Sequence, residues 1–331
     1  MTNPRFDVLC IGNAIVDVIA DTTDAFLSNQ GLHKGSMRLI DEAEAVRLYE
    51  AMGPGREISG GSAGNTAAGL AAFGLNAAFI GQVADDQLGE IYRHDIEAQG
   101  IGFLVDPRSD VGATARSLIL VTPDAQRTMN TFLGAAQLLA RQSVDLAAVA
   151  DSGIVYLEGY LWDPAEPRAA MEAAIEAAHA AGRKVAFTLS DTFCVDRHRD
   201  SFWQLLRDGK VDILFANEAE AASMAEVNDV EEAIPALAVY VQTLVVTRSE
   251  NGATAVHGGE RADVPAEPIE RLVDTTGAGD LFAAGFLAGE ARGLGLEASL
   301  RLGAIAAAEV IQHYGARPEA DLRALAEGVL A

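Results

Sequence analysis

The sequence predicts an α/β protein with a mostly parallel sheet and helices on both faces, and three observations predict it. Short apolar runs alternate with long alanine-rich ones along most of the chain. Half of the 331 residues are hydrophobic, enough to bury a sizeable core. No repeat, heptad seam or low-complexity tract competes with that alternation. At roughly 100–200 residues per domain, the length fits one large domain or one and a half.

The strand-like runs are Phe6–Ile11, Ala77–Gly81, Gly153–Leu157, Lys184–Leu189, Asp212–Phe215 and Thr243–Thr247, each short enough for a buried parallel strand. Between them lie helix-forming segments such as Ala63–Phe73, Pro164–Ala181 and Glu218–Val239, the pattern of βαβ units. Two inserts, at about 14–40 and 101–134, break this rhythm with few helix signals. Within the second, Ala115–Thr122 and Arg127–Leu133 flank Pro123-Asp124-Ala125-Gln126, which is hairpin-turn chemistry. The inserts are expected to form a small antiparallel sheet, either a lid or a fixed edge layer.

Charge and cysteine usage narrow the function. With 48 Asp and Glu against 24 Lys and Arg, the net charge is -24. Such a surface repels a phosphate backbone, so nucleic acid is not expected as a partner. Only Lys34, Lys184 and Lys210 are lysines, leaving cationic work to arginine. Cys10 and Cys194 are too few and too far apart for a disulfide framework or zinc site, and a reducing cytoplasm fits them. Phe6 to Ala20 is interrupted by Asp7, Asn13 and Asp17, and reads as strand and turn rather than a signal peptide. No stretch reaches the roughly 18 uncharged apolar residues of a membrane helix.

The strongest local signal is Asp274-Thr275-Thr276-Gly277-Ala278-Gly279-Asp280, followed by apolar residues at helical spacing. The first amides of a helix lack internal partners and sit at the positive end of its dipole, and the glycines let them converge on an anion. Asp280 beside an anion site is either an ordinary first-turn acid or a proton acceptor for an attacking hydroxyl. No P-loop sequence occurs, and Gly293-Leu294-Gly295-Leu296-Glu297-Ala298 follows a helix rather than a strand, which excludes a dinucleotide fingerprint. A second cluster, Gly60-Gly61-Ser62-Ala63-Gly64-Asn65, opens another helix and is either a turn or a site for a neutral polyhydroxyl ligand. Asn217-Glu218-Ala219-Glu220 has the spacing of a helix capping box.

Asp274–Asp280 resembles the second signature of the ribokinase-like (pfkB) carbohydrate kinases, and Gly60–Gly74 running on into Gly81–Gly89 resembles the first. The likeness extends from Gly12 to Pro318. It implies a ribokinase-like three-layer sandwich with a small β-sheet lid, transferring the γ-phosphate of ATP to a hydroxyl with Mg2+ bound; a monovalent cation such as K+ is a further possible requirement. Carried over, Asp280 is the base and Gly277, Ala278 and Gly279 build the anion hole. Glu220 holds magnesium through water with Asn217 near the phosphates. Thr247, Ser249 and Gly252 border the ATP phosphates and ribose, and His313 and Ala316 wall the adenine pocket.

For the acceptor, Gly12-Asn13-Ala14-Ile15-Val16-Asp17 and Gly61-Ser62 with Asn65 look more similar to adenosine kinases than to ribokinases, with Asn13 and Asp17 on the acceptor. Met129 and Leu133 on the hairpin, and Tyr160, Leu161 and Trp162 after a strand, are either core residues or the walls of a purine pocket. Arg127 matches a lid arginine that closes on the phosphoryl group, with Arg116 a weaker candidate for the same role. Ala14, Arg116 and an aromatic content of 6% depart from adenosine kinases, so fructokinase or another sugar kinase stays open. A non-catalytic nucleoside sensor or interaction subunit would require decayed catalytic residues, and these are intact. The expected partner is a small nucleoside or sugar in the cytoplasm, with the chain as monomer or homodimer.

Overall fold

The computed structural model describes residues 4–124 and 126–330. Fourteen strands form two sheets. The large one contains β1 (Phe6–Ile11), β5 (Ala77–Ile80), β6 (Gly102–Phe103), β9 (Ser152–Glu158), β10 (Lys184–Thr188), β11 (Ile213–Asn217), β12 (Thr243–Thr247), β13 (Ala253–His257) and β14 (Glu260–Val264). Their order is β14-β13-β12-β11-β10-β9-β1-β5-β6, parallel from β12 to β6 and closed by an antiparallel β12-β13-β14 edge.

Alternation along each central strand sends side chains to opposite faces. On β1, Val8 and Cys10 enter one core with Leu70, Leu281, Phe286 and Leu300 of the overlying helices, while Leu9 and Ile11 enter the other with Met171, Ile175 and Phe202. Helices thus cover both faces, giving the three-layer sandwich. Among the described residues no helix is long and apolar enough to cross a membrane.

All six predicted strands are present, within two residues at each end. The segment Glu218–Val239 differs: it is two helices, Glu218–Ala225 and Val230–Ala238, parted where Glu226 turns left-handed at φ 54 and Asp229 caps the second. Composition did not reveal β13 and β14.

The small sheet has the order β3-β8-β7-β2-β4, from β2 (Ile15–Asp21), β3 (Met37–Leu39), β4 (Arg56–Gly60), β7 (Ala115–Val121) and β8 (Arg127–Phe132). The hairpin pairs β7 with β8 antiparallel, from Arg116 opposite Phe132 to Val121 opposite Arg127; Ala125 of its turn lies outside the described residues. The sheet is mixed rather than antiparallel, because β2 runs parallel to β7 and β3 to β8. It also recruits β4 from outside both inserts, and the first insert carries a short helix, Asp24–Asn29.

Candidate active site

Where the small sheet meets the ends of the large-sheet strands, a cavity of about 470 Å³ is lined by Asp17, Ser62, Asn65, Tyr160, Glu220 and Asp280, among others. Such a position, outside the carboxyl ends of parallel strands, is where α/β folds hold ligands.

Asp280 lies in the first turn of the Ala278–Ala291 helix, whose N-cap is Gly277 at φ 80. Glycine suits this position twice over, since φ is left-handed and a Cβ would collide with Ala316. The Ala278 amide bonds the Thr275 carbonyl at 3.2 Å, but no acceptor among the described residues reaches the amides of Gly279 and Asp280. Open amides at the positive end of a helix dipole are the arrangement that favours an anion.

The Asp280 carboxylate is fixed by two side chains from the Ser62–Ala72 helix: Ser62 Oγ donates to Oδ1 at 2.6 Å and Asn65 Nδ2 to Oδ2 at 2.9 Å. Burial raises its pKa, opposed by those two bonds and by the charge of Arg317. Asp17, on β2, lies over the α-carbon of Gly60, where a Cβ would strike its carboxylate. Burial lifts Asp17 to about 6, opposed by Arg317 and Arg127. Ile15, Ile119 and Met129 of the small sheet supply apolar wall, and across from them Tyr160 is anchored by its hydroxyl, which donates to the Ser190 carbonyl at 3.1 Å.

Asn217 and Glu220 form the capping box: Glu220 N donates to Asn217 Oδ1 at 2.9 Å and Asn217 N to Glu220 Oε2 at 3.0 Å. Both also line the cavity, and burial raises Glu220 to about 7. A hard oxygen donor on the cavity wall, buried enough to need a neighbouring cation to stay ionised at neutral pH, fits a water-shelled magnesium. Thr247, Ser249 and Gly252 line a smaller adjoining cavity of about 150 Å³ with Ala278 and Gly279.

Several sequence-based expectations differ from the structure. His313 and Ala316 do not wall that smaller cavity; Ala304, Ala307, Ala308 and Ile311 do. His313 pairs with Glu309 at 3.1 Å in a separate cavity, and Ala316 packs against Gly277. Asn13 turns its amide and side chain onto Glu158, at 2.7 and 2.5 Å, and does not line the cavity. Leu133 lies past the end of β8 and outside the lining, while Leu161 and Trp162 are fully in the core. Arg116 alternates with the lining residues Ser117 and Ile119 and instead stacks over the Tyr49 ring, 5.9 Å from its centroid. Arg127 reaches the glycine turn from β8: it forms an ion pair with Asp274, and its Nη1 donates to Thr276 Oγ1 at 2.9 Å. It does not line the main cavity, and its Nε and Nη2 are buried without a partner.

Sequence reading missed two residues. Glu158 ends β9 and is almost fully buried; it accepts from the amides of Asn13 and, at 2.8 Å, Ala63, and burial raises it to about 7. An acid at the carboxyl end of a buried strand was the available signal. Arg317 binds the Ser59–Gly64 turn, and no periodicity marks it.

The fold and cavity together define a protein of the α/β class with a ligand-sized cavity at the strand ends, beside a helix start whose first amides are open. The pfkB family carbohydrate kinase model matches residues 6–322, and the chain belongs to that family. It is therefore an ATP-dependent phosphotransferase acting on a hydroxyl group. An adenosine kinase of Sinorhizobium meliloti superposes with a TM-score of 0.90 at 51% identity, over 98% of this chain and 99% of that one. A probable sugar kinase of Rhizobium etli CFN 42 superposes at 0.91 with 50% identity and the same coverage. The adenosine kinase of Saccharomyces cerevisiae is 28% identical, across 95% of this chain and 96% of its own length.

Proposed function

We propose that the chain phosphorylates the 5'-hydroxyl of adenosine with ATP, giving AMP in a purine-salvage step in the cytoplasm. The observation that carries this reading is the layout of the main cavity, with Ile15, Ile119, Met129 and Tyr160 apolar enough for a purine, Asp17 suited to a vicinal diol, and Asp280 beside open amides. Resemblance at half identity to an adenosine kinase supports it. Asp280 accepts the hydroxyl proton while Ser62 and Asn65 orient its carboxylate. The amides of Gly279 and Asp280 face the transferring phosphoryl group, and the orphaned Nε and Nη2 of Arg127 are donors for its oxygens. Magnesium, when bound through water by Glu220, offsets phosphate charge. The small sheet acts as a lid, with Arg127 carried on it.

A sugar acceptor is the competing reading, favoured by the equally similar probable sugar kinase. An ATP-coupled assay with adenosine, inosine, fructose, ribose and 2-keto-3-deoxygluconate at equal concentration decides between them. Adenosine is expected to have the highest kcat/KM, and equal or faster turnover of a free sugar overturns the nucleoside assignment.

A further inference from the structure

Arg317 lies outside the lining of the main cavity, on the wall of a different one. Its guanidinium grips the turn before and within the Ser62–Ala72 helix. Nε and Nη2 donate to the Ser59 carbonyl at 3.0 and 2.6 Å, Nη2 also to Ser59 Oγ at 2.9 Å, and Nη1 to the Gly64 carbonyl at 2.5 Å. Every acceptor is neutral, and among the described residues no carboxylate comes within the 4.0 Å of an ion pair. A guanidinium so placed has no carboxylate in direct contact, so its charge acts on the carboxylates around it through space.

The charged or titratable groups facing it are Tyr92 and Asp95 of the Gln87–Ala98 helix, Asp17 of β2 and Asp280. Tyr92 spends its hydroxyl on the Gly60 carbonyl at 3.3 Å; Asp95 accepts from the Ser59 amide and hydroxyl at 2.8 and 2.5 Å, and its charge shares the field of Arg317 with Asp17 and Asp280. The same turn meets both site carboxylates: Asp17 rests on Gly60, and Asp280 is held by Ser62 and Asn65. Asp17 also faces Arg127, Asp274 and the Asp280 charge, but Arg127 is paired with Asp274. We propose that Arg317 is a positioning residue of the phosphotransferase reaction: the internal counter-charge of Asp17 and Asp280, clamped against the turn that carries Ser62 and Asn65.

Its catalytic part rests on Asp280 being the proton acceptor, so the test reads the carboxylates without substrate. Carboxyl 13C NMR titration of the ligand-free protein, assigned with Asp17→Asn and Asp280→Asn, is run on wild type, Arg317→Gln and Arg317→Lys. Arg317→Gln is expected to raise both midpoints by about one pH unit, because an opposing charge is lost. Arg317→Lys breaks the fork but keeps the charge, and both midpoints are expected to stay near wild type while the melting temperature falls. Unmoved midpoints in Arg317→Gln, or raised ones in Arg317→Lys, overturn the proposal; should Arg317→Gln not fold, Arg317→Met, which keeps the packing of the stem, takes its place with the same two outcomes. Midpoints that rise while the acid limb of kcat/KM stays put sustain the counter-charge and overturn Asp280 as base.

Discussion

Two helix starts lie side by side on the wall of the cavity and put a positive-φ glycine to different ends. Gly61 and Gly277 both cap their helices at left-handed φ, 82 and 80, and neither helix has a side-chain cap from its N-cap residue. At the first helix the Ala63 amide is stoppered by the near-fully buried carboxyl group of Glu158, an acceptor supplied by the protein itself. At the second, the Gly279 and Asp280 amides are left free toward the cavity. The comparison teaches that a glycine turn before a helix is only half of an anion site; whether the protein already seats a carboxyl group on its amides decides the rest.

Replacing Asp280 attacks the open end most directly. Asp280→Asn is expected to lower kcat by about 10²–10⁴-fold with little change in nucleoside binding, since a positioned base contributes that much. Steady-state kinetics and calorimetric titration check it, and near-wild-type kcat removes Asp280 from the base role. The two glycines of that turn separate next. Gly277→Ala is forced into a left-handed φ against Ala316, so a stability loss of roughly 1–3 kcal/mol together with lost activity is expected in denaturant titration. At Gly279 a Cβ meets no atom within 4 Å, so Gly279→Ala is expected to keep the melting temperature and raise only the KM for ATP.

The stoppered end has a pH signature. Folding raises Glu158 to about 7 from an ordinary 4.5. The folded state therefore binds this proton more tightly, and the stability it contributes is full below 4.5 and is lost as pH rises through 7. Glu158→Gln is expected to flatten the fall in unfolding free energy between pH 5 and 8, measured by urea titration. An unchanged slope would assign the fall to Glu220, raised to about 7, and Asp17, raised to about 6. The smallest effect is expected at His313→Ala, which lies outside the small cavity beside Gly279 and should leave the KM for ATP within error.

The large sheet and the glycine turn were legible because each is written contiguously: short apolar runs bounded by turns, and seven consecutive residues from Asp274 to Asp280. Residues whose direction depends on strand register were not. Arg116 and Ser117 are neighbours in sequence yet face opposite sides of β7, and Leu161 and Trp162 leave the site that Tyr160 enters within one short helical turn. The reach of Arg317 to Ser59, 258 positions away, has no local trace at all. The same holds for the contact between β8 and Asp274 made by Arg127.

The placement of Arg127's ion pair has a mechanical consequence. Asp274 also accepts from Thr276 and from the Gly315 amide, so one carboxylate gathers the small sheet, the glycine turn and the closing loop of the chain at one node. Only Nη1 of the guanidinium is committed to that node, and Nε and Nη2 have no partner. One side chain thus fastens the small sheet to the glycine turn through a single nitrogen while its other two stay in reserve, so anchoring and any further hydrogen bonding by Arg127 are separable.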